Sequence, residues 1–423
     1  MVGKMDFEAF VERAAAWLAE HAEPLSASTG TVEPAREWGV GSDSVEVFHD
    51  LTDDEERALL DRAMAWQREK FDAGYGALTW PAEFGGAGLS EEFALAFDEL
   101  EAGYVHPPHH ETFSVTFHLV APTLAQFGQT ELRARLLRRL LRTETLSCQL
   151  FSEPGAGSDL GALATRAERD GDSWVINGQK TWSSGARFAE WGELIARTDR
   201  DVPKHQGMTA FMLEMDSPGV TIRPIRQMSG GSSFNEVFFS DVRIPDAHRL
   251  GEIGEGWRVA LTTLGFERRS SGSGRGMSTV GGSFQQLLAL ARWLDRDGDP
   301  LVRQRLADVY AHERLREFVG ARTLATAADS GAPGPYASIG KLLWTRSMTR
   351  IGAVAADLLG PRMTADTGEW GTYAWTKHVL GAPGYQIAGG SDEIQHDIIG
   401  NRVLGLPPEP RPDKGVAFRD VPR

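Results

Sequence analysis

The sequence predicts a multi-domain α and β chain: an N-terminal all-α domain, a central β-barrel and a C-terminal antiparallel four-helix bundle. Three observations predict it. Apolar residues recur at helical spacing through the first third, at a period of two from about residue 146 to 250, and at helical spacing again to the end. Turn residues punctuate the middle stretch every ten or so positions, as in a compact β domain. The last third offers long helices with short joints, which implies antiparallel neighbours. The expected domains are therefore 1–145, 146–250 and 251–423, and 423 residues suffice for two to three domains.

Phe7, Phe10, Val11, Ala14, Trp17 and Leu18 give a first amphipathic helix over 6–22. Residues 24–50 are rich in Ser, Gly, Pro and Glu and read as a long surface excursion. Thr52 and Glu55 have the spacing of a capping box for a helix carrying Leu59, Leu60, Ala63 and Trp66. A loop over 76–90, broken by Pro81, Gly85, Gly86 and Gly88, closes on Ser90 as the N-cap of a helix to Glu101. Helices over 114–127 and 129–142 follow. Between these elements lie His106, His109 and His110, with two prolines that prevent helical ligand spacing, so an exposed connection is expected rather than a metal site.

In the middle third, 165–176 reads as strand, and Asn177-Gly178 has the composition of a tight hairpin turn. Further strands are expected at 194–196, 209–214, 220–223 and 235–244. After Gly254-Glu-Gly-Trp257 helices return, to about Glu267 or beyond, and then over 284–294, 300–327, 337–359, 370–380 and 391–403.

Lys plus Arg total 44 against 59 Asp plus Glu, a net charge of −15, which disfavours attraction to nucleic acid or an anionic membrane surface. One cysteine, Cys148, excludes an internal disulfide and a cysteine metal cluster, and fits a reducing compartment. Its leucine neighbours Leu146 and Leu150 read as core. The first residues lack a signal-peptide apolar stretch and no run approaches a membrane span, so the expected location is cytoplasmic.

The chemistry concentrates in FSEPGAGSDL at 151–160 and NGQKTWSSG at 177–185. Gly155 and Gly157 let backbone approach a ligand, and Trp182 beside Ser184 offers a flat surface next to a hydroxyl. Gly155, Gly157 and Gly161 imitate a dinucleotide fingerprint, but that fingerprint opens a helix after a buried strand, whereas a strand follows here. On spacing alone this is either a ligand-contacting loop or a tight loop capping the barrel.

Motifs at 76–90, 151–160, 177–185, 234–245, 264–268 and 387–406, the last with GGSDEIQ, occur in an order that resembles the acyl-CoA dehydrogenase family, in particular its divergent actinobacterial-type branch. The resemblance spans nearly the whole chain. It implies FAD between the barrel and the bundle, contacted by Gln149, Phe151, Ser152, Ser158, Trp182 and Ser184. Ser391 and Glu393 match positions that approach the cofactor from a neighbouring subunit; read from the residues alone, Ser391 is equally an N-cap. It further implies α,β-desaturation of an acyl-CoA thioester, with α-proton abstraction and β-hydride transfer to flavin N5. An electron-transfer flavoprotein or similar acceptor, and a homodimer or homotetramer, complete the expectation.

Abstraction of an α-proton needs a carboxylate raised toward neutral pH. The commonest family position for it is occupied here by Gly389, which instead matches the backbone amide that stabilises the thioester oxygen. The minority position, on the first bundle helix, is Glu267, on one stripe with Trp257, Ala260 and Leu264. Arg268 matches a substrate-contacting position. The Arg-x-x-Phe-Gly segment of many relatives reads RWLDRDGDP at 292–300, which admits a heteromer whose partner supplies what this chain lacks. The alternatives are a flavin monooxygenase or oxidase of the same fold, a non-autonomous subunit and, more distantly, a hydrolase built on the histidines.

Overall fold

The Thr52–Glu55 capping box forms as its spacing requires: the Thr52 hydroxyl accepts from the Glu55 amide, and the Glu55 carboxylate accepts from the Thr52 amide at 2.9 Å. It starts α2 (Asp53–Asp72) in a computed structural model that describes residues 6–25, 45–107, 110–272, 281–330, 334–365 and 374–421, without the side chains of 268–272, 324 and 327–330. The other helices of this part are α1 (Phe7–His21), α3 (Glu91–Glu101), α4 (Glu111–Ser114), α5 (Ala121–Phe127) and α6 (Thr130–Leu141). Phe10, Ala14 and Leu18, one apolar stripe of α1, are buried against Phe93 and Phe97 of α3.

The single helix expected over 114–127 is broken. A π-helical turn, Val115–Val120, separates α4 from α5. Pro122 has no amide for the helical ladder, and the Thr116 hydroxyl is taken by the backbone of Ser147, so the turn widens between them. The surface reading of 24–50 also needs correction. Residues 26–44 lie outside the described ones, but Val45, Val47 and Phe48 are buried, with the Phe48 ring stacked 4.9 Å from Tyr385. Three apolar side chains in four residues outweigh the polar composition around them.

The middle domain is one eight-stranded sheet: β1 (Ser147–Leu150), β2 (Arg166–Asp170), β3 (Ser173–Ser184), β4 (Trp191–Arg197), β5 (Met208–Glu214), β6 (Val220–Ile225), β7 (Phe234–Pro245) and β8 (Arg249–Leu250). The order is β6-β7-β3-β2-β4-β5-β8, with β1 parallel to β4. Trp174 on β3 meets Phe211 on β5 at 5.4 Å, although two strands separate them in that order, so the sheet curls around its own core. The hairpin turn lies at Gly171, whose φ is 62°, and not at Asn177-Gly178. Those two residues sit inside β3 at a register shift. There Asn177 exchanges hydrogen bonds with Asp241, so its side chain serves a bulge in place of a turn.

Beyond the sheet come α7 (Gly256–Gly272), α8 (Phe284–Trp293), α9 (Pro300–Ser330), α10 (Ala337–Leu359), α11 (Ala374–Ile387) and α12 (Asp392–Ile398). Leu287 and Leu290 of α8, Leu306 and Val309 of α9, Ile351 and Leu358 of α10 and Trp375 of α11 share one core, which makes the expected four-helix bundle. The expected helix from residue 370 falls partly outside the described residues and extends to Ile387. Helix α7 stands apart: Val259 and Ala260 pack on Ile195, Met208 and Met212 of the sheet, which places α7 between sheet and bundle. The tail returns to the β4–β5 connection, where Arg197 lies 3.8 Å over the Phe418 ring. No described helix is long and apolar enough to cross a membrane.

Candidate active site

The loop after β1 is shaped by one buried ion pair. Glu153 accepts from Lys180 Nζ at 2.8 Å and from the amides of Ala164 and Thr165, while Lys180 also donates to the Phe151 carbonyl. Burial pushes the Glu153 carboxyl up, but the Lys180 charge and these hydrogen bonds hold it below its ordinary value. The loop is thereby tied down at both ends while Gly155, Gly157 and Ser158 remain exposed at its tip. A Cβ added to Gly155 or Gly157 would meet nothing within 4 Å, so neither glycine answers to the protein's own packing. Gly161 does, since its Cβ would strike His205. Phe151 is 5 % exposed and offers a ligand only its backbone, and Gln149 carries a buried Nε2 without a partner among the described residues.

Trp182 is aimed by strain. Between Lys180 and Ser183 the β3–β7 register slips, and Trp182 takes φ 61° with its side chain 58 % exposed, next to a fully buried Lys180. The indole is braced edge-on by Phe234 at 5.9 Å, Phe234 by Phe48 at 5.4 Å, and Phe48 by Tyr385 of α11. An aromatic chain thus links the strand edge to the helix that leads to Gly389. Ser184 hydrogen-bonds the carboxyl of Glu111, which burial pushes above its ordinary value. Sequence reasoning missed Glu111; its only signal was a carboxylate directly after the histidine-rich connection.

Glu267, half-buried on α7, lies against the loop between α11 and α12: a Cβ built on Gly389 would stand 3.4 Å from Glu267 Oε1. Gly389 and Gly390 both have positive φ, 66° and 80°, and Gln395 pins their carbonyls at 3.0 and 3.1 Å. Ser391 is the N-cap of α12, accepting from the Ile394 amide, and Glu393 is exposed in the first turn. The Arg268 side chain lies outside the described residues.

The histidine connection is not uniformly exposed as expected. His106 is exposed, but His110 is 5 % exposed and joins His49 and Glu56 with ligand atoms within 4.8 Å of one another. Burial isolates this group because Glu56 is shared: its Oε1 meets His110 at 2.8 Å and His49 at 3.3 Å, and its Oε2 takes Arg187. His110 Nδ1 accepts from the Thr112 amide, so its proton resides on Nε2 and points at Glu56. A metal on Nε2 would require that proton to move to Nδ1, against the Thr112 N–H, beside an arginine cation. The donor set fits an ion network better than a metal centre.

Three family descriptions match in chain order: acyl-CoA dehydrogenase N-terminal domain at 46–144, middle domain at 148–242 and C-terminal domain at 254–404. The chain belongs to the acyl-CoA dehydrogenase family. Within it, the chain is similar to acyl-CoA dehydrogenase IpdE1 of Mycobacterium tuberculosis, 38% identical over 96% of this chain and 99% of the relative. It is 35% identical to acyl-CoA dehydrogenase FadE34 of the same organism, over 79% of this chain and 45% of that protein. Among solved structures, the Tcur3481-Tcur3483 steroid acyl-CoA dehydrogenase superposes with TM-score 0.72 at 25% identity, covering 97% of this chain and 100% of that one. The chain is accordingly an oxidoreductase of the acyl-CoA dehydrogenase type, and its helical, sheet and helical domains are those of the family fold.

Proposed function

We propose that the protein is an FAD-dependent dehydrogenase that introduces an α,β double bond into an acyl-CoA thioester, with Glu267 as the base. The observation that carries this reading is the meeting of Glu267 with Gly389: the carboxylate of one helix occupies space beside a loop position that has no side chain. A base reaching from α7 and a base at 389 could not both be accommodated there. Partial burial on the margin of the α7 apolar stripe favours the proton-accepting role.

The residues present fit a flavin. The open glycine tip with Ser158, the exposed and strained Trp182, Ser184 and the unpartnered Gln149 Nε2 form a cradle with space and donors but no occupant from the protein itself. Gln149, Ser152, Ser158, Trp182 and Ser184, with the Phe151 backbone, would hold FAD; Ser391 and Glu393 would face a neighbouring subunit's site. When bound, FAD would supply the acceptor for the hydride lost from the β-carbon, which carries both electrons. Glu267 takes the α-proton, and the Gly389 amide donates to the thioester oxygen as charge develops there.

The name of the steroid dehydrogenase supports a steroid-derived acyl group in place of a straight chain. A two-component assembly is a second reading, favoured by the paired titles Tcur3481-Tcur3483 and ChsE4-ChsE5, the latter at TM-score 0.69 and 25% identity. An electron-transfer flavoprotein would reoxidise the enzyme. Anaerobic mixing of the FAD-loaded protein with straight-chain, branched and steroid-derived acyl-CoA esters tests the reading: bleaching of the flavin with slow reoxidation in air is expected. Rapid reoxidation with peroxide release would point to an oxidase instead. Protein that turns yellow only when co-expressed with a homologous partner would establish the two-component form.

A further inference from the structure

A second carboxyl group lies under the cradle, outside everything described so far. Glu193 on β4 is 0 % exposed, and its Oε1 stands 2.7 Å from the hydroxyl of Thr263 on α7. That hydroxyl is 2.9 Å from Thr123 on α5, and Thr123 is 2.8 Å from the Leu119 carbonyl. The series of three oxygen–oxygen contacts needs three protons, and the two threonines supply two. An ionised Glu193 would leave one contact without a proton, whichever way the hydroxyls turn. A neutral Glu193 donates the missing one, and the chain runs in a single direction to its end at a carbonyl. The Val259 carbonyl, 3.2 Å from Thr263, is a fourth contact: a neutral Glu193 fills the three shorter contacts and leaves only this longest one without a proton, whereas an ionised Glu193 leaves two of the four without one.

The other oxygen of Glu193 has no partner among the described residues, and neither has Gln149 Nε2. The two residues are directly register-paired on adjacent parallel strands, β1 and β4. Paired residues of adjacent strands point to the same face, so this carboxyl and this amide lie on one side of the sheet. Thr263 lies one helical turn before Glu267 on α7, so the chain joins the strand that faces the cradle to the helix that carries the base.

We propose that Glu193, acting as a proton donor, is a positioning residue that locks α7, and with it Glu267, onto the β1–β4 floor on which Gln149 faces the cofactor. The proposal rests on the functional reading above. The surroundings agree with a neutral acid: burial pushes the group up to about 8, and would do so even if the Thr263 hydroxyl donated to it. The neighbours that face it, Gln149 on β1, Met212 on β5, Thr123 on α5 and Thr263 on α7, are all uncharged.

The test compares Glu193→Gln, Glu193→Leu and Thr263→Val in the FAD-loaded protein. A glutamine amide can donate to Thr263 and present its oxygen to Gln149, so it mimics the neutral acid and cannot lose a proton. Wild-type kcat is expected to fall about tenfold between about pH 7 and pH 9 as Glu193 ionises, and Glu193→Gln to lack that fall. Glu193→Leu and Thr263→Val should lower kcat at every pH by about tenfold or more with KM little changed, since the base is misaligned and not lost. An alkaline fall that survives in Glu193→Gln, or a leucine variant with wild-type kcat, overturns the proposal. A readout independent of the reaction is the thermal midpoint. Because the folded-state value is raised, wild type loses stability relative to Glu193→Gln as pH rises from about 5 to about 8, and the difference is flat above. If no thioester reduces the wild-type flavin, the functional reading falls, and a midpoint difference that ignores pH then overturns the donor role of Glu193 on its own.

Discussion

Glu267 and Gly389 share one space: Oε1 of the first lies 3.4 Å from where the second would carry a Cβ, on a residue whose φ is 66°. Two constraints therefore meet at position 389, a backbone conformation that side chains disfavour and a carboxylate that a side chain would crowd. Replacing Glu267 by Gln removes the proton acceptor without changing the shape. The variant is expected to bind FAD and remain yellow, while kcat falls by about 10² to 10⁴. Stopped-flow reduction by a substrate thioester measures it, and an unimpaired rate would remove Glu267 from the mechanism.

Gly389→Ala examines the other half of the relationship. The methyl must be carried at positive φ, costing about 1 kcal/mol, and it sits at van der Waals contact with the carboxylate. A lower thermal midpoint and a reduced kcat with FAD affinity preserved are expected. Wild-type kcat in this variant would show that the 389 loop and Glu267 act separately.

Trp182 separates cofactor binding from stability. Its ring is 58 % exposed and its φ is 61°, so Trp182→Gly removes little packing and relieves a strained conformation worth about 1 kcal/mol. The FAD-free variant should be at least as stable as wild type by thermal melting. Its affinity for FAD should be weaker by about 0.5–1.5 kcal/mol, the usual value of an aromatic stack. Equal FAD affinity by fluorescence titration would remove the stacking role.

The reach of the sequence can be judged from the same residues. Periodicity located the helix stripes because Phe10, Ala14 and Leu18 face one core, and alternation, a local property, is what β6 and β7 show, whereas β4 and β5 are buried along nearly their whole length. The Asn177-Gly178 turn failed because its partner, Asp241, is 64 residues away, and only the β7 register converts the pair into a bulge. Val45 to Phe48 were misplaced for the same reason: their burial comes from α11, more than 300 residues later. Gly389 and Glu267 were legible as types at motif positions, but their proximity was not. Glu193 gave no local signal and Glu111 only its place after the histidines, since a carboxylate is unusual only once the fold has buried it.

Lys180 is the fastening of the cradle. It is fully buried, bound to the Phe151 carbonyl and to Glu153, whose side chain is 9 % exposed. Lys180→Met keeps the volume and leaves Glu153 buried without its cation, a loss of about 3–5 kcal/mol. The expected result is a protein with a sharply lowered unfolding midpoint and little bound FAD. The double variant Lys180→Met with Glu153→Gln should recover part of the stability, because the stranded charge is gone; no recovery would mean that the ion pair is not what holds the loop.

Glu56 governs the acid side of the stability profile. Its side chain is 1 % exposed, and it binds His110, His49 and Arg187. Burial alone would raise its carboxyl, but hydrogen bonds from His110 and His49 and the charges of His49 and Arg187 hold it far below the ordinary range. A carboxylate depressed in the folded state contributes stability above its unfolded value of about 4.3, and that contribution is lost as pH falls below it. Wild-type unfolding midpoints in denaturant should therefore drop steeply below about pH 5. Glu56→Gln removes the buried counter-charge of Arg187 and leaves it only the exposed Asp53, at 2.8 Å, which should cost about 3 kcal/mol at neutral pH. That deficit should shrink as the pH falls below about 5, because the unfolded wild-type chain then takes up the proton that the folded carboxylate resists. A deficit that stays constant from neutral pH to pH 4 would show that Glu56 acts through shape and not through charge.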